Sequence, residues 1–115
     1  MSADPNCIFC RIAAGEIPAK KAHEDDDIIA FHDIHPWAAV HILLVPKRHI
    51  APMEQATPED QTPMARMLVL APQLMAQLGV TDGFRQVINT GRDGGQEVHH
   101  LHMHVMGGPR PWLKG

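Results

Sequence analysis

Hydrophobic and polar positions near the start of the chain predict one short helix and two strands. An apolar stripe over residues 6–14 predicts the helix, with Asn6 as its N-cap. Residues 20–24 and 28–33 have the pattern of strands. The three consecutive aspartates at 25–27 are typical of a solvated turn and are expected to join these strands.

A further strand and the main helix follow. Residues 40–45 are mostly apolar on both faces, which is typical of a strand in the middle of a sheet. Residues 57–78 carry apolar side chains at helical spacing, and their two Thr-Pro pairs predict a short first turn and a main helix from about Pro63. Pro72 lies inside this pattern and is expected to kink the helix. The side chains expected to face the core are Met64, Met67, Leu68, Ala71, Met75 and Leu78.

The remaining pattern completes one sheet. Residues 84–89 and 98–106 are predicted strands, separated by a glycine-rich turn at 91–95. Residues 107–115 cannot continue a strand and are expected to form a C-terminal tail. The elements together predict an α+β domain with a mostly antiparallel five-stranded sheet, one main helix and a short N-terminal helix.

Length, composition and charge narrow the class of protein. The 115 residues suit a single domain over 1–115, with residues 1–5 as a loose leader. The net charge is −3, and the absence of a Lys/Arg block argues against a nucleic-acid partner. No apolar run reaches the roughly 18 residues that a membrane span needs, and no export signal is visible, so a cytoplasmic location is expected.

Histidine is the residue type that points to chemistry. The chain contains nine histidines, no tyrosine, and a single serine, Ser2, in the predicted leader. A tyrosine nucleophile is therefore excluded, and a serine hydrolase mechanism is almost excluded. Imidazole titrates closest to neutrality, so the reaction is expected to take place at histidine.

The histidines are concentrated in the last predicted strand. His100, His102 and His104 alternate with apolar residues, and alternate residues of a strand share one face. Three imidazoles on one face can hold a metal ion, or one can act as a nucleophile while its neighbours donate or orient. The glycine turn before them lets backbone N–H groups approach an anion, so phosphoryl or nucleotidyl transfer is favoured.

Cys7 and Cys10 form the only cysteine pair of the chain. In a chain without an export signal, a Cys-x-x-Cys pair indicates metal binding or redox activity before a structural disulfide.

These segments together resemble the histidine triad superfamily. The row from His100 to Met106 matches the family signature of three histidines separated by apolar residues, and the similarity covers nearly the whole chain. The Gly107-Gly108 ending followed by a tryptophan is similar to the Hint branch, the histidine triad nucleotide-binding proteins. Further matching elements are Ile8-Phe9, residues 15–19, residues 30–34, residues 40–43, residues 45–50 and residues 94–96.

The resemblance implies a homodimer whose sheet extends across the two subunits. It also implies hydrolysis of purine nucleoside 5′-phosphoramidates, such as AMP joined to an amine. His102 would be the nucleophile and would form a covalent nucleotidyl-histidine intermediate that water resolves. His104 would donate to a phosphate oxygen, while His100 and His41 would orient and polarise His102. This route requires no cofactor for catalysis.

The resemblance also implies a nucleotide-binding pocket. Asp33 would accept hydrogen bonds from the ribose hydroxyls. The base would lie against apolar side chains, namely Phe9, Ile12, Ile17, Phe31 and Ile34. The phosphate would be surrounded by Asn89, Gly95, Gln96 and Glu97 together with His102 and His104. Trp37 and Trp112 are expected at the dimer interface, because tryptophan is enriched there.

Several relatives hold a structural metal with a similar set of cysteines and histidines. The expected site is a tetrahedral zinc bound by Cys7, Cys10, His49 and His100.

Two features depart from the family pattern. Glu97 occupies a position where several members carry a serine that helps to protonate the leaving amine, and its carboxylate would repel phosphate. The tail is about one residue shorter than usual, so the leaving-group preference is not implied.

Three alternatives remain open from the sequence. The protein could be a purine nucleotide-binding module without catalysis, which Glu97 would favour. It could be a dinucleoside polyphosphate hydrolase, a near relative. It could also be a metalloenzyme with a catalytic zinc held by His100, His102 and His104.

Overall fold

Five strands form one antiparallel sheet. The computed structural model describes residues 5–50 and 56–113; the first four residues of the expected leader and the last two of the tail lie outside this range. The helices are α1 (Ile8–Ala13) and α2 (Gln61–Gln77), with a 3₁₀ turn at Pro58–Asp60. The strands are β1 (Lys21–Glu24), β2 (Ile28–His32), β3 (Val40–Pro46), β4 (Phe84–Val87) and β5 (Met103–Gly107), in the order β1-β2-β3-β5-β4. The predicted α+β fold is confirmed.

One face of the sheet packs on α2. Because successive strand residues point to opposite faces, every second residue of β2, β3 and β5 contributes to this core. It is formed by Ile28, Ala30, Ile42, Leu44, Met103 and Val105 from the strands and by Met67, Ala71, Leu74 and Met75 from α2.

The opposite face carries α1. Its apolar cluster is built from Ile29, Phe31, Leu43 and Val45 of the strands and from Cys7, Phe9, Cys10 and Ile12 in and before α1. His41 and His104 follow the same alternation as these strand residues, so the histidines share a face with α1 and not with α2.

The helices differ from the sequence prediction in three details. Cys7, not Asn6, is the N-cap of α1, and its Sγ accepts the N–H of Cys10 at 3.4 Å. Helix α2 begins two residues before Pro63 and continues through the exposed Pro72 as one helix. Leu68 is 55% exposed, because the buried stripe runs along Met67, Ala71, Leu74 and Met75 instead.

The last two strands are shorter than predicted. Strand β4 ends at Val87, and β5 begins only at Met103. The segment 98–102 before β5 is held by bonds outside the sheet, because the N–H of His100 donates to the Val98 carbonyl at 2.8 Å and that of Leu101 to the Ile50 carbonyl. The histidine row thus spans the end of a loop and the start of a strand.

Within the described residues, no helix is long and apolar enough to cross a membrane.

Candidate active site

His102 presents one free ring nitrogen beside an apolar wall. Its Nδ1 lies 2.7 Å from the main-chain carbonyl of His100. A carbonyl oxygen can only accept, so Nδ1 carries the proton and Nε2 keeps its lone pair. Phe9 contacts the ring edge to face, with the centroids 5.1 Å apart. A buried, oriented imidazole with a lone pair on Nε2 can act as a nucleophile.

A chain of hydrogen bonds fixes the protons of His41 and His104. The backbone N–H of Trp37 donates to His41 Nδ1 at 3.0 Å, so the proton of neutral His41 is on Nε2. That Nε2 lies 2.9 Å from His104 Nδ1, which therefore accepts. The remaining proton of neutral His104 is on Nε2, and this nitrogen is a donor. His102 and His104, with ring centroids 5.0 Å apart, thus offer an acceptor and a donor side by side.

Asp33 lies beside this chain, directly after β2. Its Oδ2 is 3.5 Å from His41 Nε2, and its Oδ1 accepts the N–H of His35 at 2.8 Å. Its own N–H donates to the His41 carbonyl at 2.9 Å. The carboxylate is held at the edge of the histidine row with lone pairs left for another donor.

Burial keeps the histidines of the site neutral. Burial, and to a smaller extent the neighbouring His102 and His41, lower the pKa of His104 to about 4 against an opposing effect of Asp33. Burial also lowers the pKa of His102, while its bond to the His100 carbonyl and the charges of Asp33 and Glu97 oppose the shift. The pKa of His41 is lowered by burial as well, with Asp33 again opposing. Near pH 7 the site contains neutral imidazoles, the form in which histidine is a nucleophile.

Most of the expected base-binding residues come together around Phe9. Phe9 and Phe31 contact edge to face with the centroids 5.6 Å apart, and Ile12 is buried in the same cluster with Ile17 packed against it. Ile34 is different, because it is 86% exposed on the loop after β2 and does not join this cluster.

The glycine turn is closed by its own residues. A Cβ on Gly94 would lie 2.3 Å from the Thr90 carbonyl oxygen, so the tight turn itself requires this glycine. Gly95 has a φ of +83° and open space around it. The Gln96 side chain accepts the N–H of Gly91 at 2.9 Å and donates to the Val98 carbonyl at 3.0 Å, which ties the turn together.

Asn89 and Glu97 lie on either side of the glycine turn in the sequence. Strand β4 ends at Val87, which pairs with His104, and Asn89 follows two residues later. Glu97 is exposed, and its negative charge acts on His102.

A second cluster lies at the other end of the row. His100 Nδ1 is 3.2 Å from Cys7 Sγ, 3.4 Å from Cys10 Sγ and 3.2 Å from His49 Nδ1. The four ligand atoms all lie within 4.8 Å of one another. Ligands about 2.0–2.3 Å from a tetrahedral ion are separated by about 3.3–3.8 Å, so the four side chains fit a tetrahedral metal. His100 Nε2 donates to the Pro46 carbonyl at 2.6 Å, which directs Nδ1 toward the cluster.

These contacts correct two expected roles. The ring of His100 turns toward the cysteines, and only its main-chain carbonyl orients His102. His41 bonds to His104 instead of His102, because His104 Nδ1 is the atom that faces its Nε2. The three histidines of the row also do not converge on one point as a catalytic zinc would require. In the part of the chain that the structure describes, the groups of possible ligands are the cysteine cluster and a set of Asp33, His41 and His104.

The second set of possible ligands is poorly suited to a metal. The atom that would bind the ion is His41 Nε2. This nitrogen carries the ring proton, because Nδ1 accepts the N–H of Trp37. A metal ligand needs a free lone pair, so the observed hydrogen bonds oppose coordination at this point.

Comparison with known proteins identifies the family of this chain. The HIT domain family matches residues 14–110, which is most of the chain. The chain belongs to the HIT family. Protein HitA of Neisseria gonorrhoeae is 50% identical to this HIT protein over 104 residues, which are 90% of this chain and 97% of HitA.

Solved HIT structures share the fold. The HIT family hydrolase of Legionella pneumophila superposes with a TM-score of 0.87 at 44% identity, covering 91% of this chain and 95% of the hydrolase. A Zn-bound histidine triad family protein from Mycobacterium smegmatis gives a TM-score of 0.78 at 32% identity, covering 89% of this chain and 73% of that protein. The chain is thus a HIT family, hydrolase-like protein.

Sequence reasoning assigned Trp37 of this HIT protein only to a dimer interface. The structure brings its indole against His104, with the centroids 6.0 Å apart and the planes 13° from parallel. The spacing of Trp37 from His41 across a loop gave no periodic signal, because contacts of loop residues depend on the loop path.

Proposed function

We propose that this protein hydrolyses purine nucleoside 5′-phosphoramidates through a covalent nucleotidyl-histidine intermediate at His102. The observation that carries the proposal is the pairing of opposite tautomers on neighbouring rings. His102 Nδ1–H is bound by the His100 carbonyl, and His104 Nδ1 is bound by His41, so one ring offers a lone pair and the other a proton. An in-line displacement at phosphorus needs both.

In the first step, His102 Nε2 attacks the α-phosphorus and the bond from phosphorus to the leaving amine breaks. The lone pair of Nε2 forms the new N–P bond, and the amine leaves with a proton taken up from solvent. The imidazolium that results carries its positive charge next to the His100 carbonyl and within the field of Asp33 and Glu97. In the second step, water attacks the same phosphorus and loses a proton to solvent. The N–P bond breaks, AMP leaves, and the bonding pair returns to Nε2 of neutral His102.

His104 stabilises the negative charge that grows on the phosphate oxygens. Its Nε2–H donates to an oxygen of the transferring group, while His41 fixes the ring through Nδ1. Positioned donors contribute strongly to phosphoryl transfer, because the charge is spread over those oxygens in the transition state.

The nucleoside lies on the α1 side of His102 in this proposal. The Phe9 cluster receives the purine, since its rings lie next to the nucleophile and its walls are apolar. Asp33 accepts from the ribose hydroxyls, and the turn from Asn89 through Gly95, Gln96 and Glu97 lies around the phosphate. Glu97 is exposed and so can point away from the anion.

We also propose that the cluster of Cys7, Cys10, His49 and His100 holds a structural zinc ion. The donor set, the burial of both cysteines and the 3.2–3.4 Å ligand separations support it, as does the Zn-bound relative from Mycobacterium smegmatis. A bound ion would stabilise the fold and fix the His100 ring. The His100 carbonyl orients His102, so the cluster also positions the nucleophile.

A homodimer with a continuous sheet remains part of the proposal. Strand β4 is at the sheet edge, and a second copy could pair with it there. A monomeric mass by light scattering at micromolar concentration would contradict the dimer.

One assay tests the activity. The protein is incubated with an adenosine 5′-phosphoramidate, with and without a chelator, beside His102→Ala. We expect AMP release that resists brief chelator treatment and is lost in the variant. Tight nucleotide binding without AMP release would instead support the non-catalytic module. Release that requires free metal would support the metalloenzyme, and preference for a diadenosine polyphosphate would support the polyphosphate hydrolase.

A further inference from the structure

The indole of Trp37 stacks against the His104 ring. The two rings are stacked, with centroids 6.0 Å apart and planes 13° from parallel. The same indole contacts His41 at 5.8 Å with an interplanar angle of 63°. Trp37 therefore touches both rings of the hydrogen-bond chain that fixes the proton on His104.

The backbone of Trp37 is held from both sides. Its N–H donates to His41 Nδ1 at 3.0 Å, and its carbonyl accepts the N–H of Leu113 from the C-terminal tail at 2.6 Å. At the start of the loop, Asp33 accepts the N–H of His35. A residue anchored at both its N–H and its carbonyl presents its side chain in a fixed direction.

His104 needs such a restraint. Its hydrogen bond from His41 fixes one atom of the ring, Nδ1, but rotation about the side-chain bonds can still tilt the ring plane. His102 contacts the ring at an interplanar angle of 66°, so it does not lie parallel to the ring plane. The stacked indole lies nearly parallel to the ring plane and so restricts this tilt.

We propose that the Trp37 indole is a positioning residue, which holds the His104 ring in the orientation that directs Nε2–H at the substrate phosphate. The proposal rests on the proposed function only in assigning His104 as the phosphate donor. Because the backbone N–H of Trp37 already serves His41, side-chain substitutions remove the stacking and leave that hydrogen bond available.

The kinetic test compares Trp37→Ala and Trp37→Phe with Phe84→Leu. Phe84 lies on the opposite face of the sheet against the α2 core, so its substitution controls for lost packing. We expect Trp37→Ala to lower kcat about 10-fold with KM within about twofold, because a donor held only loosely loses transition-state contact. Trp37→Phe retains a ring and should keep kcat within about threefold, and Phe84→Leu should keep it within about twofold.

A second test needs no substrate. Long-range ¹H–¹⁵N spectra of the histidine rings report which nitrogen carries the proton, and are recorded at about pH 8, above the ordinary imidazole pKa. In the wild type, His104 should show a bare Nδ1, a protonated Nε2 and ring-current shifts from the indole. In Trp37→Ala, the shifts should collapse and the two tautomers of His104 should mix, while His102 stays unchanged.

The two tests separate failure of this proposal from failure of the proposed function. Absence of hydrolysis by the wild type would count against the phosphoramidase, and the spectra would then decide the role of Trp37 alone. His104 signals identical in wild type and Trp37→Ala would overturn the positioning role. An equal loss of kcat in Phe84→Leu, or a change in KM only, would overturn it as well.

Discussion

His100 and His104 lie four residues apart on one segment, yet their surroundings give them different chemistry. His100 is fully buried, and its Nδ1 faces two thiols and another imidazole. His104 is half-buried, and its Nδ1 faces His41, so that a proton is left on Nε2. The first environment suits a metal ligand and the second a hydrogen-bond donor. Two histidines of one short segment thus differ in chemistry, because the contacts of each ring decide what it can do.

His102, between the two, should show the largest effect. His102→Ala is expected to lower phosphoramidate hydrolysis by about 10⁴-fold or more, as removal of a nucleophile does in other covalent enzymes. Its thermal stability and metal content should change little, because its ring is not part of the cysteine cluster. His99→Ala is the matched control, since His99 is exposed and should retain activity within about twofold. A comparable loss of activity in His102→Ala and His99→Ala would contradict a specific catalytic role of His102.

Disruption of the metal cluster should mainly lower the metal content and the thermal stability, and should lower activity less than His102→Ala does. Cys10→Ser is expected to abolish stoichiometric zinc and to lower the Tm by at least about 10 °C, since a few kcal/mol are lost and each shifts the Tm of such a domain by about 3–6 °C. Activity should fall by about 10–100-fold, because His100 no longer holds its carbonyl firmly against His102. Metal analysis, scanning calorimetry and the AMP-release assay measure the three quantities. The protein should be purified without a histidine tag. Absence of zinc from it, together with a Tm that does not change when a chelator is added, would refute the metal site.

The fold could be predicted largely from the sequence, and the site only in part. Residues that are apolar on both faces predicted the central strand β3, because a strand in the middle of a sheet is buried on both sides. The cysteine pair and the histidine row identified residues that the structure brings into one cluster.

The ring contacts could not be predicted. These contacts depend on loop paths and side-chain rotamers, which hydrophobic periodicity does not determine. They are the bond of His41 to His104, the orientation of His100 toward the cysteines and the stacking of Trp37. The late start of β5 has the same origin, because local bonds of residues 98–102 replace the strand ladder.

The pH dependence of the activity tests the protonation state of His102. Burial lowers the pKa of His102 below its usual 6.5, and the nucleophile must be neutral. Activity should therefore be complete above pH 6.5 and should fall as the pH drops through the lowered pKa, by about tenfold per pH unit beyond it. The profile of kcat/KM between about pH 4 and 8 measures this limb. An acid limb centred above pH 7 would mean that His102 is not the neutral nucleophile or is not buried as described.

The smallest effect is expected at Glu97. Its negative charge raises the pKa of His102, so Glu97→Gln should move the acid limb to lower pH by a few tenths of a unit, because the group is exposed and screened. Asp82→Asn removes an exposed charge before β4 and should leave the limb in place. A shift toward higher pH in Glu97→Gln would show that the carboxylate acts on His102 by another route.

Detection of the covalent intermediate is the most direct test of whether His102 is the nucleophile. The protein is mixed with an equimolar adenosine 5′-phosphoramidate, quenched in base within the first turnover, and mapped by peptide mass spectrometry. We expect an adenylyl group on the peptide that contains His102, located on that ring and absent from His102→Ala. Turnover of substrate with no adduct on His102, together with full activity of His102→Ala, would contradict it.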